Sequence, residues 1–432
     1  MLNKVKNIIL KTDNFLYKKF GSNKGTKFLE NIREAQIIFS YLNEVGNESK
    51  VRFVGGCVRK SICGEIIDDI DLATSLETDQ IKKKLNKENI KLIDTGIEHG
   101  TITAIINKKK FEITTLRKDI LTDGRHAKVE FTSSWNQDAS RRDFTINSIY
   151  ADIEGRIFNP LNGVEDLKNG LIKFIGLPEE RIQEDYLRIL RYFRFFTAYS
   201  KVDFDQDIIK SIKKNINGLN KISNERIFDE LTKILNLKKS YNLFYNKNSK
   251  EIILSIFPQF KHYERLKILN SLDKKFRNKY DNYLILALLI VDKSDNYEYF
   301  CHKYKVSNNI KKRFKNICTH YENIKSSSFF SKKNIKKLIY FLSKEHVLDL
   351  LLFSICINKK INTLSVEKLI DYVNACVKPK FPISGGYLKN YGYESGKELG
   401  KKLKFLEDKW IANDFIIDKK EVDKSLNKVS KS

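Results

Sequence analysis

The sequence predicts a mixed α/β N-terminal domain followed by an essentially all-α C-terminal region. Three observations lead there. The β-rich runs Val51–Val54, Thr101–Ile106 and Phe111–Leu116 are confined to the first 155 residues or so. Beyond residue 178 the apolar residues recur at helical spacing only, and polar Asn, Lys and Ser connectors separate the helical segments. A chain of 432 residues with 41% hydrophobic content has enough apolar side chains for more than one buried core.

Taken in order, Phe28, Ile32, Ala35, Ile38 and Leu42 line one face of a helix over 25–47 that ends near Gly46. Val51–Val54 reads as a short strand terminated by Gly55-Gly56, and a helical turn through Val58 and Ile62 follows. Asp69 to Ala73 alternates charged and apolar residues as a half-buried strand does, and 77–88 reads as a charged surface helix. Thr101–Ile106 and Phe111–Leu116 form a hairpin across Asn107-Lys108-Lys109-Lys110. The polar stretch Arg117 to Lys128, with Asp123-Gly124, reads as a loop. Helical periodicity then fits 179–199, 205–215, 224–238, 263–271, 281–291, 333–343, 346–357 and 365–377, while Asp418 to Ser432 reads as a frayed end. A composition shift near Pro379 to Gly386 marks a further boundary.

Composition removes several classes. No run of about 18 uncharged apolar residues exists, and the apolar stretch behind Lys4 and Lys6 is too short for a secretory signal, so neither membrane spanning nor export is expected. Six cysteines without a CxxC pair suggest neither a zinc ribbon nor a disulfide framework, which fits a reduced, cytoplasmic protein. The net charge of +26 is mostly lysine in an Asn- and Ile-rich chain, so alone it says little about a nucleic-acid partner. Arginine is more informative, because its planar fork is hard to replace at phosphate and carboxylate sites. Twelve of the 16 arginines precede residue 195, and the site is expected in that half.

Gly55-Gly56-Cys57-Val58-Arg59 is followed ten residues on by Asp69-Ile70-Asp71. Glycines between a strand and a helix let backbone N–H groups approach an anion such as a triphosphate, and the helix start adds partial positive charge. Aspartates at i and i+2 of a strand point to the same side, close enough to share hard divalent cations, as two-metal phosphoryl or nucleotidyl transfer requires. Either feature alone is commonly structural; the two in this order and at this spacing point to chemistry.

With further segments the sequence resembles the bacterial class of tRNA nucleotidyltransferases, the CCA-adding enzymes grouped with poly(A) polymerases in the DNA polymerase β-type superfamily. The resemblance runs through GGCVR (55–59), DIDLAT (69–74), FEITTLR (111–117), DGRHA (123–127), RRDFTIN (141–147), NGVEDLKNG (162–170), EDYLRILRYFRF (184–195) and ISNERI (222–227). It is dense from about 50 to 230 and weaker beyond, around Gly392, Gly396, Gly400 and Trp410. One departure is Lys60, where the family commonly has an acidic residue; it is expected to alter pairing behind the phosphate-facing segment rather than metal binding.

The resemblance implies a nucleotidyltransferase head over 25–155, a neck with a base-reading helix over 156–240, a helical body over 241–365 and a helical tail over 366–432. It implies that Asp69 and Asp71 hold two Mg²⁺ ions, that Gly55, Gly56 and Arg59 meet the triphosphate of CTP or ATP, and that Glu112 is a candidate third catalytic carboxylate. A Glu beside Arg117 is equally suited to a structural ion pair. The implied chemistry is attack of an RNA 3′-hydroxyl on the α-phosphate, adding C, C and A to tRNA 3′ ends with no separate protein base. In Arg141-Arg142-Asp143-Phe144-Thr145-Ile146-Asn147, Arg142 would contact the nucleotide and Asp143 would accept from a ribose 2′-OH.

Glu184, Asp185, Arg188, Arg191 and Arg194 fall on one expected helix, the last four in steps of three along a slowly drifting stripe. Leu187, Ile189, Leu190, Tyr192, Phe193, Phe195 and Phe196 surround them, so the helix is largely buried and its arginines are not idle solvated charges. They form either a structural ion-pair network or, as the resemblance implies, a protein template for the incoming base. Cytosine and adenine both present an amino donor beside a ring-nitrogen acceptor, which Asp185 and Arg188 complement; uracil and guanine would leave buried polar groups unpaired. Glu184 would orient Arg188, leaving Arg191 and Arg194 for base or phosphate. The expected partner is the tRNA 3′ end with its acceptor and elbow region, with no membrane and no obligate protein partner. A poly(A) polymerase or an A-only-adding relative shares every quoted motif, and an inactive RNA-binding descendant is the rival from another class.

Overall fold

The computed structural model describes residues 25–43, 50–86, 90–122, 127–358 and 361–426. It divides after Ile256 into two compact units. The first begins with α1 (Gly25–Leu42), which buries Ala35, Ile38, Phe39 and Leu42. It continues through β1 (Val51–Val54), α2 (Gly56–Cys63), β2 (Ile70–Thr74), α3 (Thr78–Leu85), β3 (Lys91–Gly96), β4 (Thr101–Ile106) and β5 (Lys109–Thr115).

With β8 (Tyr150–Ala151) and β9 (Ile157–Phe158) these strands make a seven-stranded sheet in the order β3-β4-β5-β2-β1-β8-β9. The pair that matters is β2 with β5, which run parallel and set Asp71 opposite Glu112. Every other neighbouring pair is antiparallel. The β4–β5 hairpin is closed by Asn107 and Lys108, both at positive φ, as a two-residue turn with right-handed strand twist requires.

Two expectations fail in this unit. The stretch 117–128 is not a plain loop, because β6 (Arg117–Thr122) and β7 (Ala127–Phe131) pair as a separate two-stranded ribbon. Lys118 and Glu130 face each other across it at 3.0 Å. Phe131 lies so close to Gly100 that a Cβ there would stand 2.5 Å from its ring. The first strand, Arg117–Thr122, has no period-2 alternation to mark it, whereas Ala127, Val129 and Phe131 alternate with Lys128 and Glu130, a signal the loop expectation passed over. Asp123, Gly124, Arg125 and His126 lie outside the described residues.

The helix expected over 179–199 is two helices, α6 (Pro178–Glu184) and α7 (Arg188–Tyr199), following α4 (Trp135–Ser140) and α5 (Gly163–Asn169). Asp185 is extended, its carboxylate accepts from the Leu187 N–H at 3.1 Å, and its carbonyl accepts from the Arg188 N–H at 2.9 Å. A short acidic side chain that bonds its own backbone two residues on competes with helix continuation. The neighbouring Tyr186 ring packs on Gly218, where a Cβ would lie 2.0 Å away. The unit closes with α8 (Gln206–Asn215), α9 (Asn224–Leu235) and α10 (Lys247–Ile256).

The second unit is helical throughout its described residues: α11 (Arg265–Ser271), α12 (Lys274–Arg277), α13 (Asn282–Ile290), α14 (Asn296–Lys303), α15 (Asn308–Thr319), α16 (Lys332–Phe341), α17 (Lys344–Ile357), α18 (Thr363–Ala375), α19 (Gly385–Lys389), α20 (Lys397–Ala412) and α21 (Lys419–Leu426). α13 is apolar on all sides and buries Leu284 and every residue from Leu286 to Ile290. The end of the chain, expected to fray from Asp418, instead carries α21, whose Val422 and Leu426 join Ile383, Leu388 and Leu406 in a small core of their own. Among the described residues no helix is long and apolar enough to cross a membrane.

One glycine holds the 141–147 segment in place. A Cβ on Gly163 would stand 2.1 Å from the Thr145 carbonyl oxygen, and the Thr145 hydroxyl donates to Asp166 of α5 at 2.8 Å. Gly163→Ala is expected to cost about 2 kcal/mol or more, because backbone rather than a flexible tip must yield; a urea or thermal melt reads it directly.

Candidate active site

β1 ends at Val54, and Gly55, at φ 68°, turns the chain into α2. Only glycine takes that conformation without strain. Its N–H is fixed on the Ile149 carbonyl at 3.0 Å, and no atom lies within 4 Å of where a Cβ on Gly56 would stand, which leaves room for an anion. Cys57 clips this turn to the sheet, its thiol donating to the Val54 and Asp71 carbonyls at 3.3 and 3.6 Å. Burial pushes that thiol up to about 11, so it stays protonated.

These elements face a cavity of about 720 Å³. Its walls bring together Gly55, Gly56, Arg59, Asp69, Asp71, Arg142, Asp143, Asp185, Arg188, Arg191 and Arg194, every expected site residue but Glu112. Asp69 is exposed just ahead of β2, while Asp71 is half-buried within it. Burial, then the neighbouring Glu112, pushes the Asp71 carboxyl up to about 6. That excess of negative charge is what a bound divalent cation would relieve.

Glu112 itself is exposed and outside the cavity wall. Arg117 is not its partner, since that guanidinium donates to the His99 carbonyl. Among the described residues no three His, Cys, Asp or Glu side chains converge to hold a metal between them. The pair Asp69 and Asp71 nevertheless suits Mg²⁺, which is usually held by one or two carboxylates with water and substrate phosphate completing the shell.

Around this acidic corner the cavity is lined by nine Lys and Arg side chains. Arg59 is buried, donates from Nη1 to Asn147 Oδ1 and lies over the Phe195 and Tyr199 rings at 4.8 and 5.1 Å. Its Nε, also buried, has no hydrogen-bond partner among the described residues, an unmet donor beside the glycine turn. Lys60 pairs with Asp68, next to the metal-type carboxylates. Asn147 continues the network by donating from Nδ2 to Asp143 Oδ1 at 2.8 Å.

Asp143 is buried, and its four acceptor positions are engaged by the Phe144 N–H, Asn147 and two nitrogens of Arg191. Burial would raise its pKa, but Arg191 and the Asn147 hydrogen bond hold it well below the usual carboxylate range. Arg142 is held from behind by Asp138, through Nε at 3.2 Å and Nη2 at 2.9 Å, and it packs over the Tyr150 ring. Asp138 is only 1% exposed and also accepts from Arg141 Nε and the Tyr150 hydroxyl.

The broken helix changes how the base-reading set is built. Asp185 ends α6 as its C-terminal cap instead of riding on the face of α7, and Arg226 of α9 donates to its Oδ2 at 2.9 Å. Among the described residues two of its four acceptor positions remain open. Arg188 gives one nitrogen, Nη1, to the Arg181 carbonyl at 2.8 Å and to Glu184 Oε2 at 2.6 Å. Its Nε and Nη2 make no hydrogen bond among the described residues. Arg194 pairs with Glu230, a buried residue of α9.

Sequence reasoning missed Asp138, Tyr150, Arg181, Arg226 and Glu230. Arg226 and Glu230 stand four apart on α9, one answering Asp185 and the other Arg194, and opposite charges at i and i+4 on a helix flanking the arginine stripe are the signal that could have found them. Asp119, on the ribbon, makes no hydrogen bond to Arg188 or Arg191; its buried Oδ1 has no partner, and the residue lines both this cavity and a neighbouring one of about 450 Å³.

A sheet that carries paired aspartates beside a glycine turn, followed by a helix of cavity-facing arginines, defines a nucleotidyltransferase of the poly(A) polymerase type. Residues 51–173 match the poly A polymerase head domain, and 201–263 match the domain described as the probable RNA and SrmB binding site of polymerase A. The mitochondrial CCA tRNA nucleotidyltransferase of Homo sapiens is 35% identical over 401 residues, 88% of this chain and 86% of that protein. The CCA-adding enzyme of Streptococcus gordonii is 30% identical over 387 residues, 87% and 92%. The fold is also that of the Bacillus stearothermophilus CCA-adding enzyme solved with CTP, at TM-score 0.67, 24% identity and coverage of 88% and 93%. The Thermotoga maritima CCA-adding enzyme solved with tRNA is similar at TM-score 0.61 and 19% identity over 94% and 99%. The chain belongs to the CCA tRNA nucleotidyltransferases, the CCA-adding enzymes of the tRNA nucleotidyltransferase and poly(A) polymerase family.

Asp138→Asn is expected to cost about 3–5 kcal/mol, since it strips a buried partner from two arginines. Burial opposes ionisation of Asp138, but Arg142 and Arg141 hold its carboxyl well below the usual range, so its stabilising effect is complete above the unfolded pKa and is lost as pH falls toward the folded one. Acid titration of the parent should therefore show a stability loss below about pH 4 that is smaller in the variant.

Proposed function

We propose that the chain adds C, C and A to tRNA 3′ ends from CTP and ATP, without a nucleic-acid template, by Mg²⁺-dependent nucleotidyl transfer. The observation that carries the reading is the single cavity whose walls hold Asp69 and Asp71, the Gly55-Gly56 turn and the arginines of α7. Asp69 and Asp71 would hold two Mg²⁺ ions, which when bound supply Lewis-acid activation of the RNA 3′-hydroxyl and neutralise the departing pyrophosphate. Glu112 supports this corner through its charge rather than as a ligand, consistent with its exposure and its register beside Asp71.

The protein's own groups do the rest. Gly55 and Gly56 let the triphosphate approach the backbone, and Arg59 offers its unmet Nε to a phosphate oxygen. Arg142 faces the nucleotide from its Asp138 anchor. A ribose 2′-OH reaches Asp143 by replacing one Arg191 hydrogen bond, because no acceptor position is idle. The two open acceptor positions of Asp185 receive the exocyclic amino group of cytosine or adenine, while Nε and Nη2 of Arg188 donate to the adjacent ring nitrogen. Arg191 and Arg194 remain for base or phosphate contacts.

In this reading the head covers 25–155, the neck 156–240, the body 241–365 and the tail 366–432, with body and tail gripping the acceptor stem and elbow of tRNA in the cytoplasm. The excess of 80 Lys and Arg over 54 Asp and Glu supports a polyanionic partner. Incubating the purified protein with tRNA that lacks its CCA end and sequencing the products tests the reading. A mature CCA end is expected; a run of A, or A added only after CC, would assign the chain to its poly(A) or A-only relatives.

Asp69→Asn and Asp71→Asn are each expected to abolish addition while the melting transition persists. Retention of activity within about tenfold, roughly 1.4 kcal/mol of barrier, would exclude these carboxylates as metal ligands. Arg188→Ala should erode the preference for C and A over U and G, whereas Arg59→Ala should weaken all four triphosphates alike. Competition among the four ribonucleotides separates the two roles.

A further inference from the structure

Arg181 lies on α6, outside every motif singled out in the sequence, yet it joins the two halves of the site. Its Nη2 donates to the main-chain carbonyls of Arg141 and Arg142 at 2.6 and 2.5 Å. Its Nη1 donates to Glu184 at 2.8 Å. Its own carbonyl and Glu184 are the two acceptors that hold Nη1 of Arg188. A single guanidinium thus spans from the segment that carries Arg142 and Asp143 to the residues that orient Arg188.

The side chain is 12% exposed, so these hydrogen bonds are largely protected from water. Four features make the arrangement directional. Arg188 has both of its hydrogen bonds on the last turn of α6, so that turn sets where its remaining nitrogens point. The chain breaks at Asp185 directly after that turn, and the continuous α7 does not brace it. α6 is short, with seven residues. The cross-link from the last turn to the carbonyls of 141 and 142 is made by Arg181 alone among the described hydrogen bonds.

We infer that Arg181 is a positioning residue for nucleotide selection: its planar fork fixes the distance between the ribose-facing segment at Arg142–Asp143 and the base-facing edge of Arg188. Lysine cannot substitute, because an ammonium group on a flexible stem has no rigid fork to serve two carbonyls and a carboxylate at fixed angles. Loss of the fork frees the α6 turn, and Arg188 then meets C, A, U and G with similar geometry. Triphosphate binding, which depends on Arg59 and the glycine turn, is untouched. The inference rests on the proposed base-reading role of Asp185 and Arg188.

The test compares parent, Arg181→Lys, Arg181→Ala and Arg188→Ala on tRNA lacking its terminal nucleotides, measuring kcat/KM for each of the four ribonucleotides together with inhibition by inorganic tripolyphosphate. Arg181→Lys keeps stem and charge and serves where Arg181→Ala does not fold. The expected result is a fall of about tenfold or more in the ratio of CTP and ATP to UTP and GTP, the scale of a lost polar reading contact, with tripolyphosphate inhibition changed less than about twofold. Added guanidinium should restore part of the ratio in Arg181→Ala. A uniform loss for all four nucleotides, or an unchanged ratio, overturns the inference. If Arg188→Ala also leaves the ratio unchanged, the base-reading assignment itself falls; if Arg188→Ala blurs selection and both Arg181 variants do not, only the role of Arg181 does.

Discussion

A cavity crowded with guanidinium groups exists only if each is answered from behind. Burying a lone cation is prohibitive, and here each has a carboxylate: Asp138 for Arg141 and Arg142, Asp143 for Arg191, Glu184 for Arg181 and Arg188, Glu230 for Arg194 and Asp185 for Arg226. Arg59 is the exception in kind, met by the amide of Asn147 and by two aromatic faces. Its Nε stays a buried donor without a hydrogen-bond partner among the described residues, beside the glycine turn. The positive field that suits a triphosphate is therefore a product of the carboxylates behind it as much as of the arginines in front.

The sheet supplies the other half. A parallel pairing inside an otherwise antiparallel sheet sets Asp71 opposite Glu112, and burial, followed by repulsion from Glu112, raises the Asp71 carboxyl. Carboxylates in such a neighbourhood are poorly arranged for an isolated protein and well arranged for one that takes up a divalent cation with its substrate. Local frustration of this kind is tolerated because β1 and β2 are otherwise rigid, with Val51, Phe53 and Leu72 fully buried.

Much of this was legible in the sequence. The boundary between the α/β head and the helical remainder, the hairpin across Asn107 and Lys108 and the clustering of the glycine turn, the paired aspartates and the three arginines of α7 all follow from local pattern, since each depends on residues close in sequence. What escaped depends on long-range pairing or on the backbone. The break at Asp185 is decided by one side chain turning on its own backbone within an otherwise helical pattern. In the ribbon, β6 carries no alternation, and the alternating residues of β7 lie mostly past the polar stretch that reads as a loop. Asp138 is a lone acidic residue whose importance comes from Tyr150 and two arginines folding around it. Glu112 is the reverse case: its strand and its place beside Asp71 were legible, but they do not set its carboxylate in the cavity wall.

The clip made by Cys57 has a consequence for how this protein meets oxidants. Peroxide, disulfides and alkylating reagents react with the thiolate, and a sulfur kept protonated by burial, with its acidity pushed up to about 11, offers them almost none. The residue that fastens the glycine turn to the strand of Asp71 is thereby a cysteine in name with the inertness of a small apolar side chain. Oxidative damage would fall first on the less buried Cys63, Cys318 and Cys376, leaving the glycine turn chemically intact after the surface of the molecule has been marked.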